Sequence, residues 1–181
     1  MAEQFIISPK SAIENAFSVL ILAMRLHDSV QRGQLPDSFG KNIIEVETGG
    51  FGVLLESECY SDQKLIDVSF NLILCAIGQS ALATDEALNN YFGSKDPASC
   101  DNVGSLRAII YQLRNAFAHN PFNPAWSIKS KYQRVYEISL PQKKIIFNAA
   151  SLDTQPIKLD DIGGLEGYIL LLKHAHQLVF Q

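Results

Sequence analysis

Residues 111 to 126 read YQLRNAFAHNPFNPAW, and the helix that this stretch predicts decides the fold. Leu106, Ile110, Leu113 and Phe117 follow the spacing of a single apolar helix face, which we expect to pack against a core. Pro121 ends the helix, because proline disfavours helical geometry in the residue that precedes it. The polar side chains in the last two turns are therefore expected to lie outside the buried face.

Three polar residues occupy those turns, namely Arg114, Asn115 and His119. Arg114 and His119 are five positions apart, so they lie roughly 140° from each other around the helix axis. They flank a strip formed by Tyr111, Asn115 and Ala118. A substrate phosphate could lie across this strip, but one helix would hold it only loosely. A two-fold partner helix would supply a second copy of each residue, which predicts a homodimer through this helix.

These residue types could act together on a phosphate group. Imidazole titrates near neutral pH, so His119 could take a proton from a ribose 2′-hydroxyl or give one to the leaving oxygen. Arg114 can fork onto phosphate oxygens as negative charge develops on them. Asn115 could orient the histidine or hydrogen-bond the phosphate. Arg107, about 20° from Arg114 around the axis, and Tyr111 between them are the predicted substrate-binding residues.

A purely structural interpretation explains the same residues. A histidine in the last turn can hydrogen-bond the free carbonyls and is favoured there by the helix dipole. Asn120 and Pro121 form an ordinary helix stop, and surface arginines are common. On this interpretation the helix has no catalytic purpose.

The arrangement of Arg114, Asn115 and His119 resembles the signature of the HEPN superfamily, in which an arginine, a following polar residue and a histidine a few positions later form a ribonuclease site. Here four residues separate the arginine from the histidine. The resemblance implies an all-helical domain and a metal-independent endoribonuclease that needs no cofactor. It also implies 2′-hydroxyl attack leaving a cyclic phosphate, a toxin or defence role, and a nucleotidyltransferase antitoxin as partner.

The alternative is a non-catalytic HEPN-like interaction or nucleotide-binding module that uses the same polar groove. The formal net charge of −4 favours this alternative, because an extended nucleic-acid footprint normally needs a basic field. The local cations near the motif are Arg107, Arg114, Lys129, Lys131 and Arg134. A third possibility is a site within residues 34–60, although nothing there has catalytic spacing.

Length and composition predict one globular domain, residues 1–181, since the chain has 181 residues and 47% hydrophobic content. The three cysteines, Cys59, Cys75 and Cys100, share no metal-ligand spacing, and their odd count fits a reducing cytoplasm. The acidic start and Pro9 argue against a secretory signal. The longest apolar runs are shorter than the roughly 18 residues of a membrane span, so we expect core helices.

The pattern along the chain predicts a mainly α protein, a four- to five-helix bundle with a β-hairpin inserted before the last helix. Trp126 and Phe122, which follow the motif helix, are expected to pin the chain onto the core. The predicted helices are 9–32, 61–77 capped by Ser61, 84–93 capped by Thr84, 103–119, and a last helix opened by Asp161, Gly163 and Gly164 that runs to about Phe180. The predicted strands are 42–46, 51–55, 132–140 and 144–148.

Overall fold

A computed structural model describes residues 8–35, 43–48, 51–56, 61–96 and 98–180, and for 43–48 and 51–56 it describes the backbone alone. Some of the sequence-based expectations lie outside these residues. They are the interpretation of residues 1–7, the strand start at Asn42, part of the possible site within residues 34–60, and Cys59.

Within the described residues the chain is mainly helical, with four α-helices and two antiparallel hairpins. The elements in chain order are α1 (Pro9–Gln31), β1 (Ile43–Thr48), β2 (Phe51–Glu56), α2 (Asp62–Phe92), α3 (Asn102–His119), β3 (Val135–Ser139), β4 (Lys144–Asn148) and α4 (Gly164–Phe180). The predicted helical bundle with a hairpin before the last helix is confirmed, and so are the two short strands between 42 and 56.

The residues cluster into two compact units. One unit is built from the chain up to Leu20 and from Leu74 onward, and the other is Ile21–Ile73. The boundaries fall inside helices α1 and α2. All of the predicted site residues belong to the first unit, which also contains α3, β3, β4 and α4.

Helix α2 corrects the prediction of two separate helices, 61–77 and 84–93, because it runs unbroken for 31 residues. Thr84 is fully buried in the interior of α2 and is not a cap. The intervening residues are mostly good helix formers, and one glycine is tolerated within a helix. Gly78 has a packing reason, since a Cβ there would lie only 3.0 Å from the Cβ of Phe117. Its bare backbone therefore lets α3 approach α2 closely.

Because α2 is continuous, it is long enough to be considered as a membrane-spanning helix. By length and composition alone it could cross a membrane, although part of its apolar stretch is buried within the protein. The core helix of a soluble protein can pass the same test. Helix α2 also buries polar and charged groups, including Ser80 and Asp85. The finding is compatible with a soluble protein.

Helix α3 has well-defined ends. Its N-terminal cap, Asp101, accepts a hydrogen bond from the Gly104 amide at 2.6 Å. At the other end the Asn120 side chain accepts from the amides of Phe122 and Asn123 at 3.2 and 3.1 Å. Side chains at these positions satisfy backbone donors that a helix end or a turn leaves free. The predicted stop after His119 is confirmed.

The chain after α3 returns to the core through Trp126. This side chain is 1% exposed, and its indole N–H donates to Asp161 Oδ2 at 2.9 Å. Phe122 was predicted to share this role, and that prediction is wrong, since Phe122 is 61% exposed. The turn fixed by Asn120 directs Phe122 toward solvent.

The hairpin before α4 packs on α3 through β3. Val135 pairs with Asn148 and Ser139 with Lys144, and the buried and exposed positions alternate along both strands. Strand β3 begins later than predicted, because Ser130–Tyr132 form a 3-10 turn that buries Tyr132.

A buried hydroxyl pair connects α4 with α2. The Tyr168 hydroxyl donates to the Ile77 carbonyl at 3.0 Å and lies 2.7 Å from Ser80 Oγ. Burial raises the pKa of the Tyr168 phenol, so the group remains a neutral donor. The contact fixes α4 against α2 in a fully buried position.

We predict that Tyr168→Phe lowers the free energy of unfolding by about 1 kcal/mol, because one buried hydrogen bond is lost while Ser80 keeps its own acceptor at Ile77. Urea denaturation measures the change. The matched control is Tyr91→Phe at a position that is 58% exposed, where we expect a change within about 0.5 kcal/mol. Equal stabilities for the two variants would contradict the structural role of this hydroxyl.

Candidate functional site

The motif residues lie on the accessible side of α3. Arg114 and Asn115 are half-buried, and His119 is exposed in the last turn. The Arg114 guanidinium donates from Nη1 to Asn115 Oδ1 at 2.9 Å. Among the described residues, no hydrogen bond or ion pair occupies the His119 ring. The imidazole is therefore free for a ligand.

The bond between Arg114 and Asn115 changes the geometry expected of a bare helix. Arg114 and His119 point roughly 140° apart around the axis, but Asn115 lies between them. Asn115 and His119 are one turn apart on the same side of the helix. The hydrogen bond to Asn115 draws the guanidinium toward that side. A phosphate above Asn115 could then meet both the guanidinium and the imidazole.

Arg107, the predicted upstream phosphate contact, has a different environment. It is 9% exposed, its Nη2 donates to the Gly93 carbonyl at 2.5 Å, and its guanidinium faces the Phe92 ring at 5.5 Å. Burial lowers the pKa of the Arg107 guanidinium, and the Asp85 carboxylate opposes this shift. Arg107 is thus held inside the fold near the loop after α2.

Tyr111, the second predicted substrate contact, is half-buried between two side chains. The Lys95 ammonium lies 4.5 Å from the centroid of its ring, and the Tyr132 ring lies 5.2 Å away at a tilt. Cations favour the face of an aromatic ring. Tyr111 therefore connects Lys95 with the core and lies between Arg107 and Arg114 along α3.

The sequence interpretation missed Lys95 and the polar groups around it. Lys95 Nζ lies 3.0 Å from Asp85 Oδ1, with side chains 13% and 7% exposed, and donates to Asn89 Oδ1 at 2.7 Å. Asn89 in turn donates to Asp85 at 3.2 Å. Asp85 and Asn89 are four residues apart in α2, a spacing that predicts contact on one helix face. Both residues lie within the predicted helix 84–93, but no local pattern indicated that Lys95, beyond the end of that helix, would return to them.

The remaining cations near the motif do not behave alike. Lys129 and Lys131 are exposed, whereas Arg134 is half-buried and donates to the Ala98 carbonyl at 3.3 Å. Only part of the predicted group of cations is therefore accessible. Over the described part of the chain, no three His, Cys, Asp or Glu side chains come together as metal ligands.

A pocket of about 230 Å³ opens at the other end of α3. It is formed by the loop after α2, the first two turns of α3 and the ring of Tyr132. Its lining residues are Ser94, Lys95, Asp96, Ser99, Asp101, Val103, Gly104, Arg107, Ala108 and Tyr132. Arg107 belongs to this pocket, whereas Arg114, Asn115 and His119 do not line it.

Comparisons with known proteins found no matching family model, no matching curated protein and no matching solved structure. The likeness to HEPN proteins therefore rests on the motif and on the helix that carries it.

The buried pair of Lys95 and Asp85 generates a stability prediction. Lys95→Met would leave the Asp85 carboxylate buried without its ammonium partner, so we expect a loss of about 3 kcal/mol in the free energy of unfolding. The matched control is Lys144→Met, which removes the exposed ion pair with Glu137 and should cost less than about 1 kcal/mol. Guanidinium denaturation of the two variants tests the difference, and a Lys95 variant as stable as the control contradicts it.

Proposed function

We propose that this chain is a HEPN-like, metal-independent endoribonuclease with Arg114, Asn115 and His119 as its catalytic residues. The observation that carries the proposal is the Arg114–Asn115 hydrogen bond beside an exposed His119 at the end of an otherwise buried helix. A cation, an amide and an imidazole thus lie together where a phosphodiester can reach them. Tyr111 remains a predicted substrate contact upstream of this group, whereas Arg107, the other predicted contact, is buried in a separate pocket.

The proposed reaction is a transfer within the RNA itself. The ribose 2′-oxygen attacks the adjacent phosphorus and the bond to the 5′-oxygen breaks. A neutral imidazole takes the 2′-hydroxyl proton, and a charged imidazole gives a proton to the departing 5′-oxygen. The products are a 2′,3′-cyclic phosphate and a 5′-hydroxyl. Arg114 stabilises the charge that builds on the non-bridging oxygens.

One imidazole cannot hold both protonation states at the same time, so the proposal includes a second copy of the chain. A two-fold axis beside the C-terminal end of α3 would place two histidines and two arginines around one phosphate. Phe122 supports this arrangement, since a phenyl ring that is 61% exposed directly after the motif is suited to bury itself in an interface. The proposed assembly is a homodimer through the motif end of α3.

The chain's charge sets limits on how RNA would bind. With a net charge of −4, the protein has no long-range attraction for a polyanion. Contacts would be confined to the few cations of the motif and its dimer mate, so the salt dependence should be shallow. We also propose a cytoplasmic location, which fits the free thiols of Cys75 and Cys100.

We predict that the purified protein cleaves single-stranded RNA in the presence of a chelator. His119→Ala and Arg114→Ala should each lower the cleavage rate by about 100-fold or more, because general acid–base catalysis and charge stabilisation each contribute at least that much. Electrophoresis of end-labelled RNA measures the rate. Periodate resistance of the new 3′ end that persists after phosphatase treatment identifies the cyclic phosphate, because phosphatase removes a linear phosphate but not a cyclic one.

Two variants outside the motif serve as controls for this assay. Arg25→Ala and His176→Gln remove the same residue types elsewhere and should leave the rate unchanged. Equal cleavage by the motif variants and the wild type would remove the catalytic assignment. RNA that stays intact with and without added metal, but is bound in a manner that depends on Arg114, would establish the non-catalytic binding module instead.

The dimer generates a separate prediction. Phe122→Ser should shift the protein from dimer to monomer in light scattering after size exclusion while leaving its circular dichroism spectrum unchanged. Ile146→Ser, at a position that is 54% exposed on the outer face of β4, is the matched control and should leave the mass unchanged. A monomeric wild type, or a Phe122 variant with unaltered mass, contradicts this assembly.

A further inference from the structure

The pocket at the N-terminal end of α3 contains an arginine whose charge is incompletely matched. Arg107 lines this pocket and is 9% exposed. One nitrogen, Nη2, donates to the Gly93 carbonyl, while the buried Nε has no partner among the described residues. Burial is the largest influence on its pKa and lowers it, so the nearby Asp85 does not fully compensate the loss of water. An anion brought to this guanidinium would supply what is missing.

The other charges around the pocket are already engaged. Lys95 is paired with the buried Asp85. The two carboxylates of the lining, Asp96 and Asp101, each accept a backbone hydrogen bond, from Ala98 at 2.8 Å and from Gly104 at 2.6 Å. Both acids are exposed, whereas Arg107 is buried. The pocket therefore has an incompletely compensated positive group in its interior and negative groups at exposed positions of its lining.

The uncharged polar side chains of the pocket carry hydroxyl groups, which can donate hydrogen bonds. The Tyr132 phenol and the Ser94 and Ser99 hydroxyls line it. Burial raises the pKa of the Tyr132 phenol, and the neighbouring Tyr111 and Asp85 add to the shift while Arg107 opposes it; the phenol therefore keeps its proton. The first turn of α3 contributes the positive end of the helix dipole.

We propose that this pocket binds a terminal phosphate group, that is, a phosphate monoester. A guanidinium can hold two phosphate oxygens at once, and about 230 Å³ accommodates a phosphate and part of the group attached to it. An internal phosphodiester carries chain on both sides, which a buried arginine does not admit. A polyphosphate would bring its extra charge against the exposed Asp96 and Asp101.

This site is distinct from the motif. Arg107 and Arg114 are seven residues apart, which corresponds to roughly 10 Å along the helix axis. The inference does not require that the motif cleaves RNA, since it rests on the pocket alone. Two kinds of ligand carry a terminal phosphate, namely a free nucleoside monophosphate and the 5′-phosphorylated end of an RNA.

The test is a titration of the full chain with inorganic phosphate, adenosine monophosphate and adenosine, followed by calorimetry and by ¹H–¹⁵N spectra. We expect phosphate and adenosine monophosphate to bind saturably at millimolar concentration or below, and to shift the amides of Ser94, Ser99 and Gly104. Adenosine should shift none of them. Absence of saturable phosphate binding, or shifts confined to residues 114–119, overturns the proposal.

Substitutions identify the side chain that binds the phosphate. Arg107→Gln should weaken phosphate binding by about tenfold or more, as expected for the loss of a charged hydrogen-bond donor, whereas Arg25→Gln removes an exposed arginine and should have no effect. Because Arg107 is buried, Tyr132→Phe is a second variant that keeps the ring, and we expect a loss of roughly threefold. Phosphate affinity that is unaltered in the Tyr132 variant and in a folded Arg107 variant overturns the assignment.

The motif variants separate this proposal from the proposed ribonuclease. Arg114→Ala and His119→Ala should bind phosphate as the wild type does, even if both lose RNA cleavage. Short RNAs with and without a 5′-phosphate then distinguish the two sources. Tighter binding of the phosphorylated RNA than of adenosine monophosphate assigns the pocket to an RNA end, and the reverse order assigns it to a free nucleotide. Loss of phosphate binding in the Arg114 variant contradicts a separate site.

Discussion

The burial of helix α3 determines which of its polar groups can act. Ten of its 18 residues are buried, because α2 approaches it at Gly78 and strand β3 packs on it. The accessible part of the helix is reduced to one side. Each polar side chain of α3 is either exposed to solvent or bonded to a neighbouring group. Residues of the same type therefore have different environments, which the sequence does not reveal.

The two arginines of α3 show how environment divides one residue type into two roles. Arg114 is half-buried and bonded to a side chain of its own helix, so its remaining donors face outward. Arg107 is fixed to the Gly93 carbonyl inside a pocket. The cost of removing a guanidinium from water is met only partly at Arg107. A partly exposed arginine suits a large ligand that must be released, whereas an enclosed one suits a small group that must be held.

Periodicity and helix-stop chemistry were sufficient to predict much of the fold. The apolar spacing in α3 and the Asn120–Pro121 stop located the motif helix, and alternation located the hairpin that follows it. The failures have physical causes. Thr84 suggested the start of a new helix, but it is a buried residue in the interior of α2. The contact of Lys95 with Tyr111 depends on tertiary packing across a loop, which no local pattern encodes.

The exposed side chain of Phe122 bears on both the packing of the chain and the proposed reaction. A single helix end offers one imidazole to the proposed reaction, which moves two protons, and a chain with a net charge of −4 has little long-range attraction for a polyanion. In the proposed dimer, contact through the Phe122 ring would bring two imidazoles and two arginines to the phosphate. It would also exclude water from the phosphate, which strengthens its interaction with the arginines. The exposed phenyl ring next to His119 is therefore better explained by an assembly than by the isolated chain.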